Sequence, residues 1–308
     1  MASLTAPAAS TSRRASAFDE VSARPSPMRR VVNVWRYREL LGSLVRKELK
    51  VKYKNSVLGF VWSLLNPALY LVVFYIVFQY FLQSSIDYYA IFLLAGLLPW
   101  NLFNAALGAS TGSITGNAGL VTKVWFPREI LPLASIGAAI VHFLLQMVVL
   151  CLALVVFRFQ PGYAYLPLIP LAVIAELMFV AAVSIALSAI NVYLRDTQHL
   201  LELALLAWFW MTPVVYAYMQ VAPRLGSWFL LNPLTPVVLA FQRAIYNTTT
   251  VVSHPKGGGV VTTPVLPPHA GYFWYARNLG IVIVVSIGLL FLALYIFGRL
   301  EANLAEEI

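Results

Sequence analysis

The fold class follows from residues 131–156, which read LPLASIGAAIVHFLLQMVVLCLALVV. These 26 residues contain no Asp, Glu, Lys or Arg, and a helix needs about 20 apolar residues to cross the hydrocarbon core of a bilayer. Five further stretches qualify as spans, at residues 59–82, 88–110, 167–192, 199–219 and 278–298. Because the runs are continuously apolar, helices are favoured over the alternating strands of a barrel. The predicted fold class is an all-α membrane protein with six transmembrane helices.

The composition excludes most other classes of protein. The chain has 308 residues, of which 60% are hydrophobic and 11% charged, whereas a soluble protein carries about 25% charged residues. A soluble enzyme, a nucleic-acid-binding module and a disordered protein are therefore excluded. The single cysteine, Cys151, rules out an intrachain disulfide.

The basic residues predict the orientation. Of the 21 Lys and Arg, 12 lie in residues 1–58, before the first span. With the N-terminus inside, the cytosolic segments hold 16 of the 21 and the outer segments five. The positive-inside rule therefore predicts that both termini are cytosolic.

The segment before the first span divides into two parts. Residues 1–30 are rich in Ala, Ser, Arg and Pro and are predicted to be a disordered cytosolic tail. Residues 31–57 combine an apolar stripe with a cationic face, which is typical of a helix lying in the inner headgroup layer. Its cationic residues are Arg46, Lys47, Lys50 and Lys54. The alternative is that these residues are only the positive charges that ordinarily flank a span on its cytosolic side. Residues 58–308 then form the transmembrane domain.

Five motifs in order resemble one family of membrane proteins. They are YKNSVLGFVWSLLNP at 53–67, KVWFPREILP at 123–132, NVYLRD at 191–196, TPVVY at 212–216 and NPLTP at 232–236. Together they resemble type-2 ABC exporter permeases, in the branch that exports lipid-linked polysaccharides such as O-antigen, capsule, teichoic acid or galactan. The resemblance extends over nearly everything from residue 31 onward.

The resemblance implies a subunit of the bacterial cytoplasmic membrane that translocates a polyprenyl-diphosphate-linked polysaccharide. It also implies a homodimer with two copies of a separate ATPase. The chain itself shows no G-x-x-x-x-G-K-[ST] loop, so we expect no catalytic residue and no cofactor here, with ATP and magnesium on the partner. No metal site is expected.

The loop 112–130 is predicted to couple this chain to the ATPase. In the resembling family this loop carries a helix that docks on the ATPase, which implies a coupling role for Lys123, Phe126, Pro127, Arg128 and Glu129. Arg195 and Asp196 would form a second contact. The alternatives are that the loop 112–130 only connects two spans and that Arg195 and Asp196 form a local ion pair. The cationic residues of segment 31–57 would attract the diphosphate headgroup.

Aromatic residues predict a path for the sugar chain, because sugar rings stack on aromatic faces. The first span carries Trp62, Asn66, Tyr70, Phe74, Phe78 and Phe81 along one line. Further candidates are Trp100, Trp208, Trp210 and Tyr216, together with Glu176, a carboxylate within the fourth span. The alternatives are helix packing or interfacial belts for the aromatic residues and a structural contact for Glu176.

The long segment between the last two spans predicts re-entrant helices on the outer side. Residues 224–231 and 233–247 are apolar enough to dip into the bilayer, and Asn232, Pro233 and Arg243 would form an outer gate. The alternative is a seventh span. Two other functions remain open: export of drugs or small lipids by the same fold, and a polytopic glycosyl or phosphoryl transferase.

Overall fold

A computed structural model describes residues 27–54, 61–81, 86, 88–253, 261–301 and 307. Residues 1–26 of the predicted tail (1–30) lie outside this part of the chain. Helix α1 (Pro27–Arg36) begins within the segment predicted to be disordered, since proline suits the first position of a helix. Tyr37 separates α1 from α2 (Arg38–Tyr53), so the predicted single amphipathic helix is two helices.

Within the described ranges, four helices are long and apolar enough to cross a membrane. They are α4 (Tyr89–Thr111), α7 (Ile130–Val156), α8 (Leu168–Tyr193, preceded by a 3₁₀ turn at Tyr163–Tyr165) and α12 (Tyr272–Leu300). The first predicted span is α3 (Trp62–Tyr75), continued by a π-helix at Ile76–Phe81. The chain is therefore a multi-pass membrane protein.

The fifth predicted span is interrupted. Helix α9 (Thr197–Trp210) has only 14 residues, about 21 Å of helix, and the chain up to Ala217 is not helical. Pro213 is the cause, because proline lacks an N–H and disfavours helical geometry at the residue before it. The prediction of one helix over 199–219 is wrong beyond Trp210.

Side chains from other elements bond the freed carbonyl groups of this non-helical segment. Gln242 Nε2 donates to the carbonyl of Pro213 over 2.9 Å, and the Tyr89 hydroxyl donates to that of Val215 over 2.7 Å. Irregular backbone at membrane depth is tolerated only where protein buries it, and residues 212–215 are buried.

The segment between α9 and α12 is mixed. Helix α10 (Tyr218–Leu225) ends at Gly226, whose φ of 56° suits a helix terminus. A 3₁₀ helix, Gly226–Leu231, therefore replaces the predicted helix at 224–231. Helix α11 (Leu234–Ile245) forms within the predicted range 233–247.

A short hairpin is an exception to the all-helical class. Strand β1 (Thr250–Ser253) pairs with the antiparallel strand β2 (Val261–Pro264), with Thr250 opposite Pro264. The predicted outer loop residues 254–260 lie outside the described part of the chain.

The helices pack so that the bundle has two distinct ends. Helix α12 packs mainly on α8, and α4 packs on α7, α8 and the buried helix α11. We call basal the end where α4, α8 and α12 finish and α7 begins; it also holds the short helices α5 (Ser113–Gly116) and α6 (Ala118–Val121). The opposite end, with α11 and the hairpin, is called distal.

Candidate functional site

A cleft of about 550 Å³ lies between α4 and α9. Asn101, Asn104 and Gly108 line its α4 side, where spacings of three and four residues place them on one helical face. Glu202 and Phe209 line the α9 side. The cleft therefore presents amide and carboxylate groups between two predominantly apolar helices.

The predicted path residue Trp100 borders this cleft. Its ring lies 5.2 Å from that of Phe209 across the cleft and 5.7 Å from that of Phe103 behind it. Asn101 is held in place because its Nδ2 donates to Gln146 Oε1 over 3.1 Å. The wall of the cleft is thus preorganised by contacts from α7 as well as α4.

Trp208, another predicted path residue, packs inside the protein. Its ring lies 5.1 Å from Phe103 and 6.1 Å from Phe179, and its Nε1 donates to Asn232 Oδ1 over 2.8 Å. Aromatic packing and a hydrogen bond account for this tryptophan without a transported ligand.

The other predicted path residues are dispersed. Trp62, Phe81 and Trp210 are exposed on the bundle surface, and the Tyr216 hydroxyl donates to the carbonyl of Trp210. The side chains of Asn66, Tyr70, Phe74 and Phe78 are not among those described, so the aromatic line along the first span stays a prediction.

Glu176 is fully buried in α8 and does not reach the cleft surface. Neither carboxylate oxygen has a hydrogen-bond partner at standard geometry within the described ranges, although the backbone N–H of Phe103 lies nearby. Its two conceivable partners lie elsewhere: Glu202 lines the cleft beside His199, and Arg243 is bonded at the distal end. The arrangement favours a structural position for Glu176.

The predicted outer-gate residue Asn232 ties the end of α9 to the start of α11. Besides accepting from Trp208, its Oδ1 accepts the backbone N–H of Leu234 over 3.1 Å. Its Nδ2 donates to Thr212 Oγ1 over 2.9 Å and to the carbonyl of Met211 over 3.2 Å. Pro233 follows directly and caps α11.

Arg243, the third predicted gate residue, lies on α11 facing Tyr165. Its guanidinium carbon is 4.3 Å from the centre of the Tyr165 ring, which is a cation–π geometry. Nη1 also donates to the carbonyl of Asn247 over 2.8 Å. Arg243 thereby fixes the end of α11 against the turn that precedes α8.

The loop at the basal end exposes an apolar tip. Trp125 is 84% exposed, and Val124 and Lys123 beside it are also exposed. In contrast, Phe126 and Glu129 are buried. Of the predicted coupling residues in this loop, the structure thus places Lys123 at the surface and turns Phe126 and Glu129 inward.

Glu129 belongs to a buried ion cluster at the basal end. It pairs with Arg30 of α1, and Arg30 Nη2 lies 2.7 Å from Glu301 Oε2 at the end of α12. Arg128 Nη1 donates to the backbone carbonyl of Glu301 over 3.1 Å. Burial raises the pKa of Glu129, while the adjacent guanidinium of Arg30 opposes that shift.

The second basal loop exposes Arg195 and Asp196. Arg195 borders a cavity of about 310 Å³ that Thr115 and Asn191 also line. The cavity lies between the loop that follows α8 and helix α5, so the two predicted coupling loops are neighbours in space.

The cationic helix α2 packs obliquely on α7. A Cβ on Gly137 would come within 2.7 Å of Val45 Cγ2, and the Tyr53 hydroxyl lies 2.9 Å from His142 Nδ1. His142 is twelve residues into α7, or about 18 Å along its axis. Helix α2 therefore packs on the first half of α7, and its position in the headgroup layer stays a prediction.

The predicted headgroup residues have different surroundings on α2. Arg46, Lys47, Lys50 and Lys54 are all exposed, and Lys47 Nζ also donates to Asn117 Oδ1 over 2.6 Å. The four cations are thus accessible, and Lys47 links α2 to the basal loop.

The family model of ABC-2 type transporters matches residues 39–246, more than half of the chain. The chain belongs to the ABC-2 type transporter family. In this family the membrane-spanning subunit works with a separate ATPase subunit, which binds the nucleotide. This ABC-2 type transporter subunit therefore has an ATPase partner.

Relatives of this ABC-2 type transporter subunit are named as export permeases. It is 34% identical to the O-antigen export system permease protein RfbA of Klebsiella pneumoniae, over 68% of this chain and 82% of the relative. It is 33% identical to the protein of the same name from Myxococcus xanthus, over 71% and 85%. The polysialic acid transport protein KpsM of Escherichia coli is 23% identical, over 66% and 80%.

Sequence reasoning about this transporter subunit missed two sets of residues. Asn101, Asn104 and Glu202 meet in the cleft. The feature of the sequence that could have predicted them is the occurrence of polar residues at helical spacing within apolar spans. Arg30 was assigned to a disordered tail, and its only signal was Pro27 at a helix start. In the part of the chain that the structure describes, no group of three His, Cys, Asp or Glu could hold a metal ion.

Proposed function

We propose that this chain is the membrane-spanning subunit of an ATP-driven exporter that moves a polyprenyl-diphosphate-linked polysaccharide across the bacterial cytoplasmic membrane. The observation that carries the proposal is the polar, tryptophan-bordered cleft between α4 and α9. The names of the relatives, O-antigen and polysialic acid transporters, support a polysaccharide as the cargo. O-antigen, teichoic acid and galactan are all compatible with this chemistry.

The chemistry of the cleft suits a glycan. Amide and carboxylate side chains exchange hydrogen bonds with sugar hydroxyls, and a tryptophan offers a flat apolar face to a sugar ring. Asn101, Asn104 and Glu202 supply the polar groups, and Trp100 the ring. A sugar path through the bilayer needs polar groups as well as an aromatic ring, because the sugar hydroxyls lose their hydrogen bonds to water there.

A homodimer would complete this path. Glu202 is 68% exposed and Asn104 is exposed as well, on helices that would otherwise face lipid. A carboxylate exposed at membrane depth usually faces a water-filled cavity or a protein partner. Two copies with their clefts facing each other would enclose these groups in a shared channel.

The exposed tip Lys123–Val124–Trp125 is the proposed contact with the ATPase. An exposed tryptophan and valine on a polar loop form the kind of apolar anchor that a protein groove accepts. Arg195 and Asp196 on the neighbouring loop would complete this surface. Arg46, Lys50 and Lys54 would attract the diphosphate headgroup from the inner leaflet.

The proposed topology has six crossings with both termini in the cytosol. It requires α3 with its π-helical extension to span, and α9 with the buried segment after it to reach the distal side. Helices α10 and α11 would then be re-entrant, entering and leaving on the outer side. The distribution of Lys and Arg supports this orientation.

Reconstitution with the ATPase partner tests the proposed function. The two subunits should co-purify, and a defined polyprenyl-diphosphate glycan should stimulate ATP hydrolysis in proteoliposomes and be protected from external enzymes on one side only. Trp100→Ala should reduce glycan export several-fold while the complex stays assembled. Trp35→Ala, at an exposed tryptophan outside the cleft, is the matched control.

A separate variant tests the proposed docking tip. Trp125→Ala should weaken co-purification of the ATPase about tenfold or more, because a central tryptophan anchor contributes about 2 kcal/mol. Trp228→Ala, exposed at the distal end, should have no effect. Absence of any co-purifying ATPase with the unaltered chain would overturn the exporter proposal itself.

A further inference from the structure

The buried ion cluster of Arg30, Glu129 and Glu301 joins three distant parts of the chain. Arg30 belongs to α1, Glu129 directly precedes α7, and Glu301 follows α12. The side chains of Arg30 and Glu129 are only 4% and 1% exposed. Charges buried to this degree interact strongly and are poorly screened by salt.

Neighbouring groups pack around Arg30 on the inner side of the cluster. The Arg30 guanidinium lies over the Phe297 ring, 5.9 Å from its centre. Gly298 leaves the room for it, since a Cβ there would come within 3.0 Å of Arg30 Nη2. At the end of α8, the Tyr193 hydroxyl donates to the carbonyl of Leu300 over 2.6 Å.

The charge balance requires Arg30. Glu129 and Glu301 bring two negative charges together, and without Arg30 the buried Glu129 carboxylate would lose the cation that it pairs with. Arg128 bonds the backbone of Glu301, which leaves Arg30 as the only cation paired with both carboxylates among the described ion pairs. Removing one partner of a buried pair leaves an uncompensated charge, so the cluster resists separation.

We propose that Arg30 is a positioning residue that clamps the ATPase-docking loop to the end of α12, so that a push on the loop moves α7 and α12 as one body. The exposed tip lies only a few residues before Glu129 along the chain. A displacement of the tip therefore reaches the clamp directly. Coupling between sites travels through contacts of this packed and hydrogen-bonded kind.

Without the clamp, the loop would yield locally when the ATPase closes. Helix α7 would still begin at Ile130, but α12 would no longer follow it, and α12 is the main packing partner of α8. ATP hydrolysis would continue while the helices around the cleft stayed in place. The expected signature is hydrolysis uncoupled from export. This inference rests on the proposed exporter function.

The test compares Arg30→Gln with Arg29→Gln in the reconstituted complex with its ATPase. Arg29 is the neighbouring arginine and is exposed, so it controls for loss of one positive charge from α1. For Arg30→Gln we expect an assembled complex, ATP hydrolysis within twofold of the unaltered protein, and a fall of about tenfold or more in glycan exported per ATP. Arg29→Gln should keep the unaltered ratio.

A conservative variant separates positioning from a merely structural role. Arg30→Lys keeps one cation between Glu129 and Glu301 and should retain most of the export per ATP, whereas Arg30→Gln should lower it. If Arg30→Gln fails to assemble, Glu301→Gln at the half-buried carboxylate provides the same comparison. An unchanged export-to-ATP ratio in assembled Arg30→Gln or Glu301→Gln would overturn the clamp, as would an Arg30→Lys ratio as low as that of Arg30→Gln. Failure of the unaltered complex to export would instead overturn the proposed function.

Discussion

Gly96 shows how a single residue positions two elements at the distal end. A Cβ at this position of α4 would lie 2.9 Å from the carbonyl oxygen of Val214 and 3.2 Å from Gln242 Nε2. The backbone of the non-helical segment after α9 therefore approaches α4 so closely that only glycine fits at position 96. Because the nearest atom belongs to the backbone, a side-chain rotation cannot relieve the contact.

We predict that Gly96→Ala destabilises the folded chain by about 1–3 kcal/mol, the range for overpacking of a close contact. The measurement is the apparent melting temperature of the purified protein in detergent. Gly288→Ala in α12, where a Cβ meets open space, should leave that temperature unchanged or raise it slightly, since alanine is the better helix former. Equal melting temperatures for Gly96→Ala and the control would contradict the prediction.

Asn232 is the second residue with several partners at the distal end. Its side chain makes four hydrogen bonds, to Trp208, Leu234, Thr212 and Met211. We predict that Asn232→Ala costs roughly 2–4 kcal/mol, because buried partners lose bonds that each contribute about 1 kcal/mol. Denaturant titration followed by tryptophan fluorescence provides the measurement. Asn104→Ala, at an exposed amide of the cleft, should unfold at the denaturant concentration of the unaltered chain.

At the scale of elements, the position of α2 matters most. An amphipathic helix with a cationic face predicts a position in the headgroup layer, and the close approach at Gly137 lets α2 also pack on α7. The hydrogen-bonding contact between Tyr53 and His142 fixes its far end within the bundle. The stripe that the sequence assigned to lipid therefore packs largely on protein.

A designed disulfide tests this packing. The Val45 Cβ lies 3.8 Å from a Cβ built on Gly137, which is close to the mean separation of Cβ atoms across a disulfide. In a Cys151→Ala background, Val45→Cys with Gly137→Cys should oxidise readily. Thiol counting with a maleimide–polyethylene glycol then gives two adducts only after reduction.

The matched pair for this experiment is Val32→Cys with Gly137→Cys, since Val32 is exposed on α1. It should keep two free thiols under the same oxidant. Two free thiols in the Val45 pair as well would show that α2 lies away from α7.

At the scale of the whole molecule, the basal and distal ends differ in chemistry. The basal end carries the ion cluster, the exposed loop tip and the exposed cations of α2, and the distal end carries the buried helix α11 and the hairpin. This asymmetry is what a transporter coupled to an ATPase on one side requires. It supports placing the basal end in the cytosol.

Labelling of single cysteines tests this orientation. In a Cys151→Ser background, Phe273→Cys at the exposed distal start of α12 should react with an impermeant maleimide in intact cells. Lys123→Cys at the basal tip should react only after permeabilisation. The reverse pattern would place both termini outside and would remove the proposed topology.

Much of the fold could be predicted from the sequence because length and apolarity act locally. Helices α4, α7, α8 and α12 arise where the chain must satisfy its own backbone groups within hydrocarbon. The ends of α9 and α10 could not be placed from apolarity, because Pro213 and Gly226 interrupt stretches that are otherwise apolar enough to continue. The hairpin was missed because short Val- and Thr-rich strands form only where their partner lies opposite.

The candidate site was predicted less completely, since it depends on which helix faces meet. Trp100, although largely buried, borders the cleft and Lys123 is exposed, whereas Trp208 is half-buried and Phe126 and Glu129 are buried in packing contacts. The residue types alone did not show whether a side chain would lie at a functional surface or in a packing contact. An aromatic ring or a carboxylate has the same chemistry in a channel wall and in a core, and only its neighbours differ.

By itself, the sequence determined the membrane class, the family resemblance and an expected orientation, because apolar runs, ordered motifs and the distribution of charge are properties of the linear chain. Only the tertiary structure decided that Arg30 belongs to a buried ion cluster, that α2 packs along α7, and that Asn104 and Glu202 share one cleft. These features join residues from 89 positions apart in the Tyr53–His142 pair to 271 in the Arg30–Glu301 pair. Their proximity depends on how the helices pack, which no local pattern encodes.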